Sequence, residues 1–572
     1  MNYLKLYIGF IVGISLLSCN DDFLQRPPLD EVTELDYFKN PDDLKTYVNQ
    51  FYNSSMFPRY NNYGNDFDSD NEIGATPDTR LQGTRTVATS GSISFTNVRS
   101  INYFFDHYQR VKENNELDAY KQYLGEAYFF RALIYFNLLK TYGDIQWINT
   151  ELGTNSPELY NPRDPRNKVA DNIIAALDSA ALFLTEDKTR GSGRVNKWMA
   201  LLIQSRVALY EGTWEKYHAG TPFGVDDPQP QKYFQKAVDA AQQVMKSGLY
   251  DIYITHHPEK DYKDLFSLQS YDGNPEVMFW REYDNGLSRG DKDFTNDRNF
   301  RMETPSSHTI TQQLADAYLC TDGKPISQSP RFAGHNTLKD EMQNRDPRFY
   351  QTIATPDEIW KIFPDGSKSY WKDAYSKLNT TADYNAPTGY LILKGYNPDM
   401  QYHVQQYEET PSILYRYAEA LLNYAEAKAE SGQINQDDID ISINKLRDRV
   451  GMPHLIISSI PADPNWDFPD LSPLLNEIRR ERRIELALEG FRWDDIARWA
   501  AADELIIGSR PKGLQADQLD HNTFPTDENG FLDPFKNAIP NGYGFVPERD
   551  YLNSIPESEI VLNPDLEQNP GW

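Results

Sequence analysis

Between Tyr60 and Phe95 the chain gathers Tyr60, Asn61, Tyr63, Asp68, Asp70, Asn71, Asp78, Arg80 and Phe95 without helical period. Sugars present apolar ring faces and rows of hydroxyls, so binding them needs flat aromatics for the faces and fixed planar polar groups for the hydroxyls. The window holds both kinds. Two further aperiodic stretches, 256–310 and 351–405, add Tyr283, Trp360, Tyr370 and Trp371. Any one of these rings could serve a core instead. As a group they are candidate ligand contacts.

Catalysis has weaker support. The sequence contains no His-Glu-x-x-His zinc motif, no Gly-x-Ser-x-Gly elbow and no glycine-rich phosphate loop. A glycosidase needs only a pair of carboxylates, but 85 acidic residues supply pairs by coincidence. The reading is therefore binding without chemistry and without a cofactor. Asp66, Asp68 and Asp70 have the spacing of a calcium loop. Such a loop needs Gly at its sixth position and Glu at its twelfth, where Asn71 and Pro77 stand, so no metal is expected. The net charge of -28 disfavours nucleic acid and anionic lipid surfaces as partners.

Cys19 carries a different chemistry. The stretch from Leu6 to Leu17 is apolar apart from Ser15, follows Lys5, and closes as Leu16-Leu17-Ser18-Cys19. A spanning helix needs about 18 or more apolar residues, and this run is shorter and meets Asn20-Asp21-Asp22 at once. No Ala-x-Ala-like cleavage site follows it. The spacing resembles a bacterial lipobox, which makes residues 1–18 a signal peptide and Cys19 the lipid attachment point. Two or three acyl chains, at about 0.8 kcal/mol per buried methylene, hold a protein on a membrane where one would not. Cys320 would then be the only thiol left, and no internal disulfide could form.

The elements that position these residues are mainly helical. From Leu117 the apolar positions Tyr120, Leu124, Ala127, Tyr128, Ile134, Tyr135, Leu138 and Leu139 recur at three and four, with Phe129, Phe130, Leu133 and Phe136 on the other sides. That helix belongs inside. Narrower stripes at Val169 to Leu184 and Trp198 to Leu209 predict half-buried helices. Tyr417, Ala420, Leu421 and Tyr424 match the first helix of a tetratricopeptide repeat, with a partner helix expected at 435–450. Residues 57–102, 256–310 and 351–405 lack a period yet are too aromatic for disorder. The expected fold is a tetratricopeptide-like helical array carrying a large irregular, loop-rich half.

Several segments, in order, resemble one family. Gly125-Glu126-Ala127 with Phe130-Arg131-Ala132-Leu133 and Tyr142-Gly143-Asp144, then Gly193-Arg194-Val195-Asn196-Lys197, Asn274-Pro275-Glu276-Val277 and Asn344-Arg345-Asp346-Pro347-Arg348-Phe349 come first. Arg416-Tyr417-Ala418-Glu419, Ile478-Arg479-Arg480-Glu481-Arg482-Arg483-Ile484-Glu485-Leu486 and Pro556 to Trp572 follow. All are similar to signatures of the SusD/RagB outer-membrane nutrient-binding lipoproteins, and the likeness runs from Asp22 to the tail. It implies about four tetratricopeptide-like units, with an N-terminal region over 19–250 and a C-terminal region over 251–572.

The resemblance also implies a role. Such proteins capture an oligosaccharide and cap a SusC-like TonB-dependent β-barrel transporter, often as two transporters with two lipoproteins. RagB-like members bind oligopeptides instead. Family members place an acidic residue, an arginine and an aromatic-to-asparagine pair in the first loop window, and Asp70, Arg80, Phe95 and Asn102 match by order. Asp21-Asp22 resembles a signal that sends such lipoproteins to the cell exterior. Within Arg479 to Glu489, the pairs Arg479/Arg483, Glu481/Glu485 and Glu485/Glu489 are like charges four apart, which destabilises an isolated helix. Their partners must come from other segments, so an internal ion network is expected there, joined by the arginines of 344–349.

Overall fold

The computed structural model describes residues 37–58, 65–89, 93–188, 193–287 and 295–572. Cys19, Tyr60, Asn61 and Tyr63 lie outside the described residues. Six long helices build the scaffold: α1 (Thr96–His107), α2 (Leu117–Tyr142), α3 (Arg166–Phe183), α4 (Lys197–Tyr217), α5 (Pro230–Lys246) and α6 (Tyr417–Glu430). α2 packs on α3, α3 on α4 and α4 on α5, while α6 lies against both α4 and α5. The order in sequence is thus the order in space, as an array of helical hairpins requires. No described helix is long and apolar enough to cross a membrane.

Local sequence explains the boundaries. Asn196 caps α4 by accepting the Met199 N–H at 3.1 Å, and α5 opens on Pro230, whose missing N–H costs nothing at a first helical turn. Two glycines let the hairpins close. A Cβ at Gly125 would fall 2.9 Å from Leu184 Cγ, and one at Gly212 would fall 2.8 Å from Phe234 Cε1. One expectation is corrected here. α4 is buried on nearly every face rather than half buried, because α3, α5, α6 and the later helix α8 (Arg492–Arg498) all pack on it.

The helix expected at 435–450 is two short ones, Gln436–Asp440 and Ile443–Arg449. Ser442 breaks it: its hydroxyl donates to the Asp438 carbonyl, and its backbone leaves helical geometry at ψ -88°.

The irregular half has its own core, including Ile310, Phe349, Trp360, Trp371, Tyr390 and Leu393. Three two-stranded antiparallel pairs tie its loops: β1 (Glu72–Ile73) with β3 (Thr309–Ile310), β2 (Val277–Arg281) with β6 (Ser412–Arg416), and β4 (Ile359–Ile362) with β5 (Lys368–Tyr370). In the first, Glu72 faces Ile310 and Ile73 faces Thr309, so the first loop window is sewn to residues 238 and 236 positions away.

What joins the two halves is charge. Helix α7 (Pro473–Glu485), capped by Ser472, carries the Arg/Glu run inward. Glu485 accepts from Arg449 at 2.6 Å, Arg416 at 2.7 Å and Arg348 at 3.0 Å. Glu276 and Glu489 also pair with Arg416, at 2.9 and 2.6 Å. Arg479, Arg482 and Arg483 reach Glu430, Asp495 and Asp70 respectively. Arg345, by contrast, donates to the Ala315 and Tyr318 carbonyls. The like-charge spacing on α7 is tolerated because each face meets opposite charge from another segment.

Candidate binding site

The loop candidates divide once their surroundings are known. Asp70 is 8% exposed, and its carboxylate is held by Arg492 at 2.7 and 2.9 Å and by Arg483 at 2.8 Å. Burial alone would raise its pKa, but the two guanidiniums overcome that and hold it at about 2. Asp66 is likewise spent on Asn71 Nδ2 and on the Leu488 and Gly490 N–H groups. Its acidity differs: with no cation against it, burial pushes it up to about 6. Asp70 is therefore corrected from ligand contact to lock between the first loop window and α7–α8.

Arg80 lies 4.4 Å over the Trp493 ring and donates to Asn553 Oδ1 at 3.1 Å, pinning the C-terminal tail. Tyr283 is buried beside Ser412, with its hydroxyl 3.4 Å from Ser412 Oγ. Trp360 and Trp371 are 3% and 1% exposed, and their ring centroids are 5.9 Å apart. They too are corrected, to core residues: Trp360 on β4 and Trp371, just after β5, both turn inward, while Tyr370 and Phe363 of the same hairpin are each 38% exposed. Trp371→Ala is accordingly expected to cost about 3–5 kcal/mol of stability through the cavity it leaves. Tyr370→Ala should cost under about 1 kcal/mol, and urea unfolding of the two variants separates these outcomes.

Phe95 and Asn102 do come together, on one cavity of about 650 Å³. It lies between the start of α1, the segment 145–152, the turn Pro157–Tyr160 and the short C-terminal helix α9 (Glu557–Leu562). Half-buried Phe95 immediately precedes α1, and its carbonyl accepts the Arg99 N–H at 2.8 Å. Asn102 sits one to two turns on, fully buried. Its Nδ2 donates to the Ile148 and Thr150 carbonyls at 2.9 and 3.0 Å, and its Oδ1 accepts from Arg131 at 2.7 Å. Both amide hydrogens are thus used within the protein. Asn102 holds the wall on which Ile148 and Thr150 stand and leaves the contact role to its neighbours.

The opposite wall joins the 157–163 segment, which no sequence pattern marked, to the Pro556–Trp572 signature. Asn563 donates to the Leu159 and Asn161 carbonyls at 3.2 and 3.0 Å, fixing the end of α9 to the 157–161 turn. Arg163 donates one nitrogen to Asn569 Oδ1 at 2.7 Å and to the Tyr142 and Asp144 carbonyls. Tyr160 is 54% exposed at the mouth. An aromatic floor, a second exposed ring and fixed polar groups in a cavity of this size can hold a small organic ligand. Among the described residues, no group of three or more His, Cys, Asp or Glu could hold a metal ion.

Comparison with known proteins gives the family and the fold. Residues 32–209 match a family model described as starch-binding and associating with the outer membrane. Residues 271–572, more than half of the chain, match the model of the SusD family. The chain belongs to the SusD family. SusD-like protein P2 of Formosa agariphila is 24% identical over 467 residues, covering 80% of this chain and 76% of the relative. A SusD-like carbohydrate-binding protein of Bacteroides fragilis shares the fold with a TM-score of 0.68 at 22% identity, covering 93% of this chain and 99% of that one. A laminarin-binding SusD-like protein matches with a TM-score of 0.56 at 18% identity, over 93% of this chain and 100% of that one. The tetratricopeptide-like helical fold read from the sequence is the fold of these SusD-like structures.

Proposed function

We propose that this SusD-family protein captures an oligosaccharide in the Phe95 cavity, without turning it over, for import through a TonB-dependent β-barrel transporter. The observation that carries the reading is the cavity itself: an aromatic ring at a helix start, facing a wall of fixed polar groups, in a chain whose relatives include carbohydrate-binding proteins. Phe95 takes a sugar face. Tyr160 and Tyr370 are offered as further contacts because both rings are open to solvent. A lipid on Cys19, facing the cell exterior, keeps the protein beside its transporter while it opens and closes over the barrel mouth.

Two measurements test separate parts. The purified chain on a glycan array should bind at least one oligosaccharide class, and product analysis after long incubation should return that glycan intact. Released fragments would overturn the binding-only reading. Cys19→Ala should leave the protein in the soluble fraction with glycan affinity unchanged, while the wild type fractionates with the outer membrane and co-purifies with a SusC-like barrel. Membrane retention of the variant would remove the tether.

A further inference from the structure

Nine of the twenty residues lining the cavity are aliphatic. Ile148, Leu152, Leu159, Ile555, Leu562 and Leu566 outnumber its aromatic residues, Phe95 and Tyr160. Sugar ring faces prefer aromatic planes, whereas branched aliphatic side chains fit methyl-sized groups. The two lining arginines are also balanced from outside the cavity. Arg99 is paired with Glu151 at 2.7 Å, and Arg163, which spends one nitrogen on three oxygens, has Asp144 and Glu567 as its neighbouring anions. A sulfated or uronic ligand would gain no net attraction there, and its charge would be desolvated against leucines.

We infer that the cavity selects neutral glycans bearing apolar substituents, such as O-acetyl groups or the methyl of a 6-deoxyhexose, with the substituent seated against the aliphatic residues and a sugar face on Phe95. The inference rests on the glycan-binding reading and specifies its ligand class. Leu562 gives it a handle: the side chain lines the cavity yet the residue is 68% exposed, so replacing it leaves the core intact.

The test is an array of matched pairs titrated with the purified chain: acetylated and saponified xylan, glucomannan and galactan oligosaccharides, and fucosylated and defucosylated xyloglucan oligosaccharides. One buried methyl-sized group is worth roughly tenfold or more in discrimination. At least one pair should show that preference for the substituted member, and Leu562→Asn should bring the ratio toward one. Equal affinity within every pair that binds would overturn the substituent inference while leaving glycan capture standing. Tighter binding of a sulfated or uronic oligosaccharide would overturn it as well. Binding of none of the probes would sink both readings.

Discussion

Replacing Glu485 by Gln is expected to cost about 3–5 kcal/mol of folding stability, the largest single effect of any change at a charged residue of this protein. Glu485 lies where three buried guanidiniums converge, from Arg348, Arg416 and Arg449. Burial by itself would raise its pKa, but the three cations hold the carboxyl far below the ordinary range. A glutamine keeps the shape and one acceptor, yet it removes the charge and turns N–H donors toward donors. The remaining anions, Asp346, Glu276, Glu481 and Glu489, are already shared with Lys394 and Arg447 as well as with the three arginines. Urea unfolding measures the loss, with Glu557→Gln on the exposed C-terminal helix as the control. A loss below about 1 kcal/mol, the worth of an exposed ion pair, would show that Glu485 is not the hub of the network.

The same network sets the pH profile. Asp70 and Glu426 are held at about 2 in the fold, against ordinary values of 3.8 and 4.5. Their contribution is therefore complete above about pH 4.5 and is lost as pH falls toward 2. Asp66 and Glu408 shift the other way, raised by burial to about 6 and about 7. They cost stability as pH rises from their ordinary values near 4 up to those values, because the unfolded chain releases their protons earlier. Thermal unfolding should thus be most resistant at about pH 4 to 4.5 and weaken on both sides.

Phe95→Ala is expected to lower glycan affinity about 10- to 30-fold, the worth of roughly 1.5–2 kcal/mol of lost ring contact. The ring is half-buried at the start of α1 and contributes no side-chain hydrogen bond there. The variant should keep the wild-type unfolding midpoint to within about 1 kcal/mol. Calorimetric titration reads the affinity directly. Unchanged affinity in a folded variant would move the glycan site away from this cavity, and Tyr370 on the β4–β5 hairpin would then be the next ring to replace.

The sequence by itself determined the helical scaffold, because apolar residues at three and four spacing have one stable solution, a buried helix. α2, α3, α4 and α6 follow from the spacing of their own apolar residues. It also determined that the Arg/Glu run of α7 must be paired internally, since like charges four apart cannot be satisfied by their own helix. Aperiodic loops gave no such rule. Asp70, Trp360 and Trp371 have the chemistry of ligand contacts, but a carboxylate or an indole serves a core equally well, and their partners Arg492, Arg483 and Tyr396 lie 25 to more than 400 residues away. Only the tertiary structure decided that these three are internal, that Phe95 lines a cavity and that Tyr160 is open. The cavity shows the limit most plainly, because it is made by bringing α1, a turn near residue 160 and the last turns of the chain together. Long-range packing, not local pattern, places its walls.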